Sequence, residues 1–126
     1  RLVDWSVMSG KGGQAKAMVA LTLDDREVEG TADGNGPVDA VMKAVDAAVG
    51  IPNELTYFHV EAVTPGEDAQ GQVHVRIKHN GQSYSGHGLA TDIVEASAKA
   101  YIAALSHVLQ QNPEVVLMGS STSRWE

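Results

Sequence analysis

The chain has 126 residues, no cysteine and a formal net charge of −7, with 43% hydrophobic but only 5% aromatic residues. The length fits one domain that can bury about two-thirds of its surface without covalent staples, and the lack of cysteine excludes disulfides and thiolate sites. The acids are scattered and Lys and Arg are unclustered, which argues against nucleic acid or an anionic membrane as partner; no stretch reads as a spanning helix or a signal peptide, so a cytoplasmic protein is expected.

Residues 2–8 alternate weakly and predict a first strand, followed by a flexible link from Gly10 to Gly13. Ala17, Val19, Leu21 and Leu23 recur at every second position, which predicts a strand with one buried face. Asp24-Asp25 is a two-residue turn into a third strand, Arg26 to Thr31. A helix is expected from Pro37, with Gly36 as N-cap and proline at the first helical position. Val38, Val41, Met42, Val45 and Val49 trace its apolar stripe, and Gly50 with Pro52 stops it.

The second half repeats this order. Phe58 to Thr64 predicts a strand, and Pro65-Gly66 a turn. Val73, Val75 and Ile77 alternate with His74, Arg76 and Lys78 in the next strand. Asn80-Gly81 is a strong type I′ hairpin signal, with Gln82 to Leu89 beyond it. Asp92 reads as an N-cap with Glu95 three residues on, a capping box. Val94, Ala98, Tyr101, Leu105 and Leu109 form the second helix stripe, which Asn112-Pro113 ends.

Sliding the chain against itself by 56 positions aligns these halves without a gap: Val7 on Val63, Gly10 on Gly66, Val19 on Val75, Gly30 on Gly86, Ala44 on Ala100. Such a repeat sets the architecture. Ala40, Ala44 and Ala47 match Ala96, Ala100 and Ala103, which predicts a small-residue packing face on each helix. The fold predicted is α+β: two pseudo-symmetric βββα units, antiparallel three-stranded sheets packed on two helices. The domain is expected over residues 1–112, with repeat one at 1–50, repeat two at 55–110, and a C-terminal tail at 113–126 that looks loose around Gly119 to Ser123. The chain starts at Arg1 in strand-like sequence, so a piece of a longer polypeptide is expected.

Little here suits catalysis. His59, His74, His79, His87 and His107 show no metal-ligand spacing, and His74 and His79 point to opposite faces if one strand holds both. The Gly10 to Gly13 link lacks a phosphate-loop pattern, and Asp33-Gly34-Asn35-Gly36 is too short and poor in ligands for a calcium loop. No catalytic residue, metal site or cofactor is expected in this chain. The helix junctions are the better candidates, because a helix N-terminus favours a carboxylate. Gly34 and Gly36 let a ligand approach the backbone. Asp92, Asp39 or nearby carbonyls could face an ammonium, and Ala62, Ala69, Val38 and Leu89 could frame a small apolar pocket. Together they describe a site for a free aliphatic amino acid, although ordinary helix capping explains the same residues.

Three segments carry a family resemblance: Gly34-Asn35-Gly36-Pro37-Val38-Asp39-Ala40, Ala62-Val63-Thr64-Pro65-Gly66-Glu67-Asp68-Ala69-Gln70-Gly71, and Gly88 to Tyr101 with its Ala90-Thr91-Asp92-Ile93-Val94-Glu95 core. They resemble the C-terminal regulatory domain of 2-isopropylmalate synthase over roughly residues 5–109. The resemblance implies two βββα units that bind leucine as feedback inhibitor and help form a homodimer. It also implies a metal-dependent TIM-barrel catalytic domain in the same polypeptide, which condenses acetyl-CoA with 2-oxoisovalerate. The divalent metal and the catalytic residues would lie in that domain. Carried onto this sequence, the effector site would use Gly34, Asn35, Gly36 and Val38 from the first junction. Phe58, Ala62 and Ala69 would come from the second repeat, and Leu89, Ala90, Thr91 and Asp92 from its junction. The alternatives are the isoleucine-sensing domain of citramalate synthase and a dimerisation module without an effector. The segment after 113 departs from the family pattern.

Overall fold

The computed structural model describes residues 1–62 and 70–113, which form two compact units, 1–51 and 52–113. The expected strand end at Val63-Thr64, the turn at Pro65-Gly66, the pocket wall at Ala69 and the tail beyond Pro113 lie outside the described residues. The first unit contains β1 (Leu2–Ser9), a short 3₁₀ turn (Lys11–Gly13), β2 (Ala15–Leu23), β3 (Arg26–Gly34) and α1 (Pro37–Val49). The second contains β4 (Glu54–Ala62), β5 (Gly71–His79), β6 (Gln82–Ala90) and α2 (Ile93–Gln111). Each is a three-stranded antiparallel sheet in chain order, with its helix on one face. The α+β, βββα expectation is met.

Both hairpins turn on two residues at positive φ, the requirement of a type I′ turn. Asp24 and Asp25 have φ of 55° and 62°; Asn80 and Gly81 have 51° and 81°. The alternation read in the sequence then sorts the faces. Ala15, Ala17, Val19, Leu21 and Leu23 are all buried, as are Val73, Val75 and Ile77. Gly50 ends α1 in the left-handed conformation at φ 70°, donating its N–H to the Asp46 carbonyl.

The small-residue face is real but one step out of place. Ala47 is exposed and Ala103 half-buried, whereas Ala40, Ala44 and Ala48 in α1 and Ala96, Ala100 and Ala104 in α2 are fully buried. The true stripe keeps the i, i+4, i+8 spacing of one helix face. Its partners are glycines on the strand beneath. A Cβ at Gly30 would lie 2.5 Å from the Ala48 nitrogen; one at Gly86 would lie 2.5 Å from the Ala104 nitrogen, and one at Gly88 2.6 Å from the Ala100 nitrogen. Glycine under alanine lets helix backbone rest almost on strand backbone.

The fourth strand corrects the gapless repeat. It begins at Glu54 rather than Phe58 and is described as far as Ala62. Trp5 pairs with Val19, and Phe58, not Glu61, pairs with the equivalent Val75. The register break between Leu2 and Asp4 recurs between Leu55 and Tyr57. The first strands are therefore related by an offset of 53, and the remaining elements by 56. The difference is a longer link before β5, which the sequence alignment had absorbed into the strand.

Candidate functional site

The two helix junctions are built differently. In the first, β3 ends at Gly34 and α1 begins at Pro37. Gly36 has φ 145° and ψ 169°, outside the range of an ordinary side chain, and open space beside it. No side chain caps the start of α1. Asp39 folds back instead: its carboxylate accepts the Asn35 N–H at 2.9 Å and pairs with the Lys43 ammonium at 3.1 Å. Those contacts, the Asn35 N–H first and Lys43 second, hold the Asp39 carboxyl below its ordinary pKa. Asp39 is thus engaged in bracing the loop. Gly34 also serves packing, since a Cβ there would lie 2.5 Å from the Ala40 nitrogen. Val38 is half-buried in the first turn.

In the second junction, Asp92 caps the helix: its Oδ1 accepts the Val94 N–H at 2.7 Å and its carbonyl accepts from Ala96 at 2.9 Å. Glu95 does not complete the capping box but pairs with Lys99 at 2.9 Å, one turn on. The Ser97 hydroxyl donates to the Ile93 carbonyl at 2.8 Å. The strand ends meet here, because Ala62 pairs with Gly71 and Gly71 with Ala90. Ile93 covers Gly71 so closely that a Cβ would come 2.6 Å from its Cδ1.

The expected site residues of this unit therefore divide. Ala62, Leu89, Ala90, Thr91 and Asp92 lie at one end of the sheet, with Ala90 buried and Leu89, Thr91 and Asp92 exposed. Phe58 stands four residues back along β4, about 13 Å away at strand rise, on the helix-side register of Val75. Phe58 is 38% exposed. In the first unit, a surface depression of about 350 Å³ is lined by Met8, Ser9, Gly10, Gln14, Ala15, Lys16 and Asp33. By register it is the counterpart of the β4–β5 end in the second unit.

A bracing Asp39 was missed in the sequence, although its i, i+4 spacing to Lys43 was a readable signal. Among the described residues, no group of three or more histidine or carboxylate side chains is placed to hold a metal ion.

With that geometry in place, comparison with known families is decisive. The model of the LeuA allosteric (dimerisation) domain matches residues 1–109. The chain belongs to the LeuA allosteric (dimerisation) domain family. The LeuA match covers both junctions and all six strands. A 2-isopropylmalate synthase of Burkholderia ambifaria is 49% identical over 106 residues, 84% of this chain and 21% of that protein. The 2-isopropylmalate synthases of Nitrosococcus oceani and Crocosphaera subtropica are 48% and 47% identical, over 82% and 81% of this chain. The chain spans about a fifth of the length of these relatives, and corresponds to their LeuA regulatory region.

Proposed function

We propose that this LeuA domain binds leucine and thereby feedback-inhibits a 2-isopropylmalate synthase of which it is the regulatory part. The observation that carries the reading is an uncapped helix start beside an open glycine, in a domain of an allosteric family. The N-terminal N–H groups of α1 suit the carboxylate of an amino acid. Leucine inhibits by binding one conformational state better than another, and the Gly34–Gly36 loop is the element whose arrangement it selects.

The rest of the enzyme is proposed from the relatives' name. A metal-dependent catalytic domain on the same polypeptide condenses acetyl-CoA with 2-oxoisovalerate in the cytoplasm, and the divalent metal resides there. The domain works as a homodimer. The β4 edge supports this reading, because Leu55, Tyr57, Phe58 and Val60 are all exposed on it, an apolar surface that a second copy would cover.

Calorimetry of this chain with leucine and with isoleucine tests the proposal. Saturable heat with leucine and tenfold or weaker binding of isoleucine is the expected result. Preference for isoleucine would make it a citramalate-type sensor; no heat with either, in a stable dimer, would leave a dimerisation module.

A further inference from the structure

The second sheet carries a row of histidines that the effector reading does not use. His59 pairs with His74, and His74 with His87, so β4, β5 and β6 each place one imidazole on the same line across the sheet. All three stand on the face away from α2, since their neighbours Val73 and Val75 are the buried, helix-facing residues of β5. The face is accessible: His59 and His87 are exposed and His74 half-buried.

His74 and His87 lie closest. Their ring centroids are 3.9 Å apart with the planes at 87°. Counting back from the two-residue Asn80-Gly81 turn, the pair falls in the class whose side chains approach most nearly. Two imidazole nitrogens bound to one metal, each at about 2.0–2.1 Å, lie about 3 Å apart at a right angle. The χ2 torsion of histidine is soft, so small ring rotations bring a nitrogen of each ring to that separation. His59 is drawn off toward Tyr57, with stacked rings 6.1 Å apart, and Tyr57 in turn lies under Arg76, whose Cζ is 5.4 Å from its ring centroid. The remaining neighbours on this face are Glu61, Gln72 and Leu89 on one side and Ser85 on the other.

We propose that His74 and His87 form a two-imidazole chelate for a divalent transition-metal ion on the outer face of the second sheet. Water completes the coordination, because the described residues offer no third converging ligand. Two nitrogens and open positions suit a tetragonal ion, so Cu²⁺ binds best, followed by Ni²⁺ and Zn²⁺. The bound ion ties β5 to β6 and stabilises the hairpin by mass action.

The test is titration of the untagged chain with CuCl₂, NiCl₂ and ZnCl₂ by calorimetry, with nitrogen hyperfine structure read by electron paramagnetic resonance for Cu²⁺. The expected result is one Cu²⁺ per chain with two nitrogen ligands, and affinity about tenfold or more weaker in His74→Gln and in His87→Gln. His107→Gln, on the opposite side of β6 where its ring contacts the Ser85 carbonyl, should bind as the parent chain does. Unchanged Cu²⁺ affinity in either single variant would overturn the proposal. So would a parent chain that binds no better than the chain carrying both His74→Gln and His87→Gln, which would leave an edge-to-face ring pair that serves only the sheet.

Discussion

Gly86 lies directly beneath Ala104: a side-chain carbon at position 86 would sit 2.5 Å from the Ala104 backbone nitrogen, closer still to the Ala100 carbonyl oxygen. Neither atom belongs to a flexible side chain, so α2 as a whole must lift for a methyl group to fit. Gly86→Ala should cost about 1–3 kcal/mol, the usual range for overpacking, or more. Gly10→Ala, with nothing within 4 Å of the added carbon, is the control and should be nearly neutral. Urea denaturation of the two variants decides; equal midpoints would show that the helix adjusts freely.

The two hairpins make the same turn with unequal residues. Asp25 holds φ at 62° where the second unit uses Gly81 at 81°. Left-handed backbone costs an ordinary L-residue roughly 1–2 kcal/mol, less for aspartate. Asp25→Gly should therefore stabilise the chain by up to about 1 kcal/mol, read as a higher thermal midpoint. A lower midpoint would mean that the extra freedom of glycine in the unfolded chain outweighs the relief of strain.

Asp92 accepts the Val94 N–H and is the side-chain cap of α2. Asp92→Ala should lower stability by about 1 kcal/mol, while Asp92→Ser should recover most of it. Failure of serine to rescue would assign the loss to charge rather than capping.

Asp39 should shape the acid limb of stability. Its folded pKa is lowered, chiefly by the Asn35 N–H and then by Lys43. A lowered folded pKa gives stabilisation that is full above the unfolded carboxylate pKa and is lost as pH falls through the folded value. The parent chain should thus lose its advantage over Asp39→Asn as pH drops below about 4. The gap is small because both partners are solvent-exposed. Denaturant midpoints measured across pH test this; a gap independent of pH would remove the charge from the explanation.

Gly36→Val probes the proposed effector site. The position has φ 145° with open space around it, so the substitution strains the loop and fills the approach to α1. Leucine affinity should fall by more than about tenfold, or 1.4 kcal/mol, with the dimer retained. Normal leucine affinity in a folded Gly36→Val chain would place the carboxylate elsewhere.

Much of this fold is written locally. Alternation in β2 and β5, the Asn80-Gly81 turn, the Gly36-Pro37 and Asp92 helix starts and the Gly50 stop each follow from one residue's backbone preference or from period-two burial, and these need no partner elsewhere in the chain. The junction segments were legible for the same reason, and so the family was. Register is a different quantity. It depends on which side chains meet across strands, so β4 was read three residues out of register when the length of the link before β5 was hidden in a gapless repeat. The alanine face was misjudged by one position because Ala47 and Ala48 are equivalent as helix formers, and only the glycine beneath Ala48 distinguishes them. The row His59–His74–His87 has no sequence spacing at all, since three strands supply one ring each. Periodicity and turn chemistry sufficed for the elements; what each face touches, and therefore where chemistry can gather, was decided by strand pairing and by the closeness of helix to sheet.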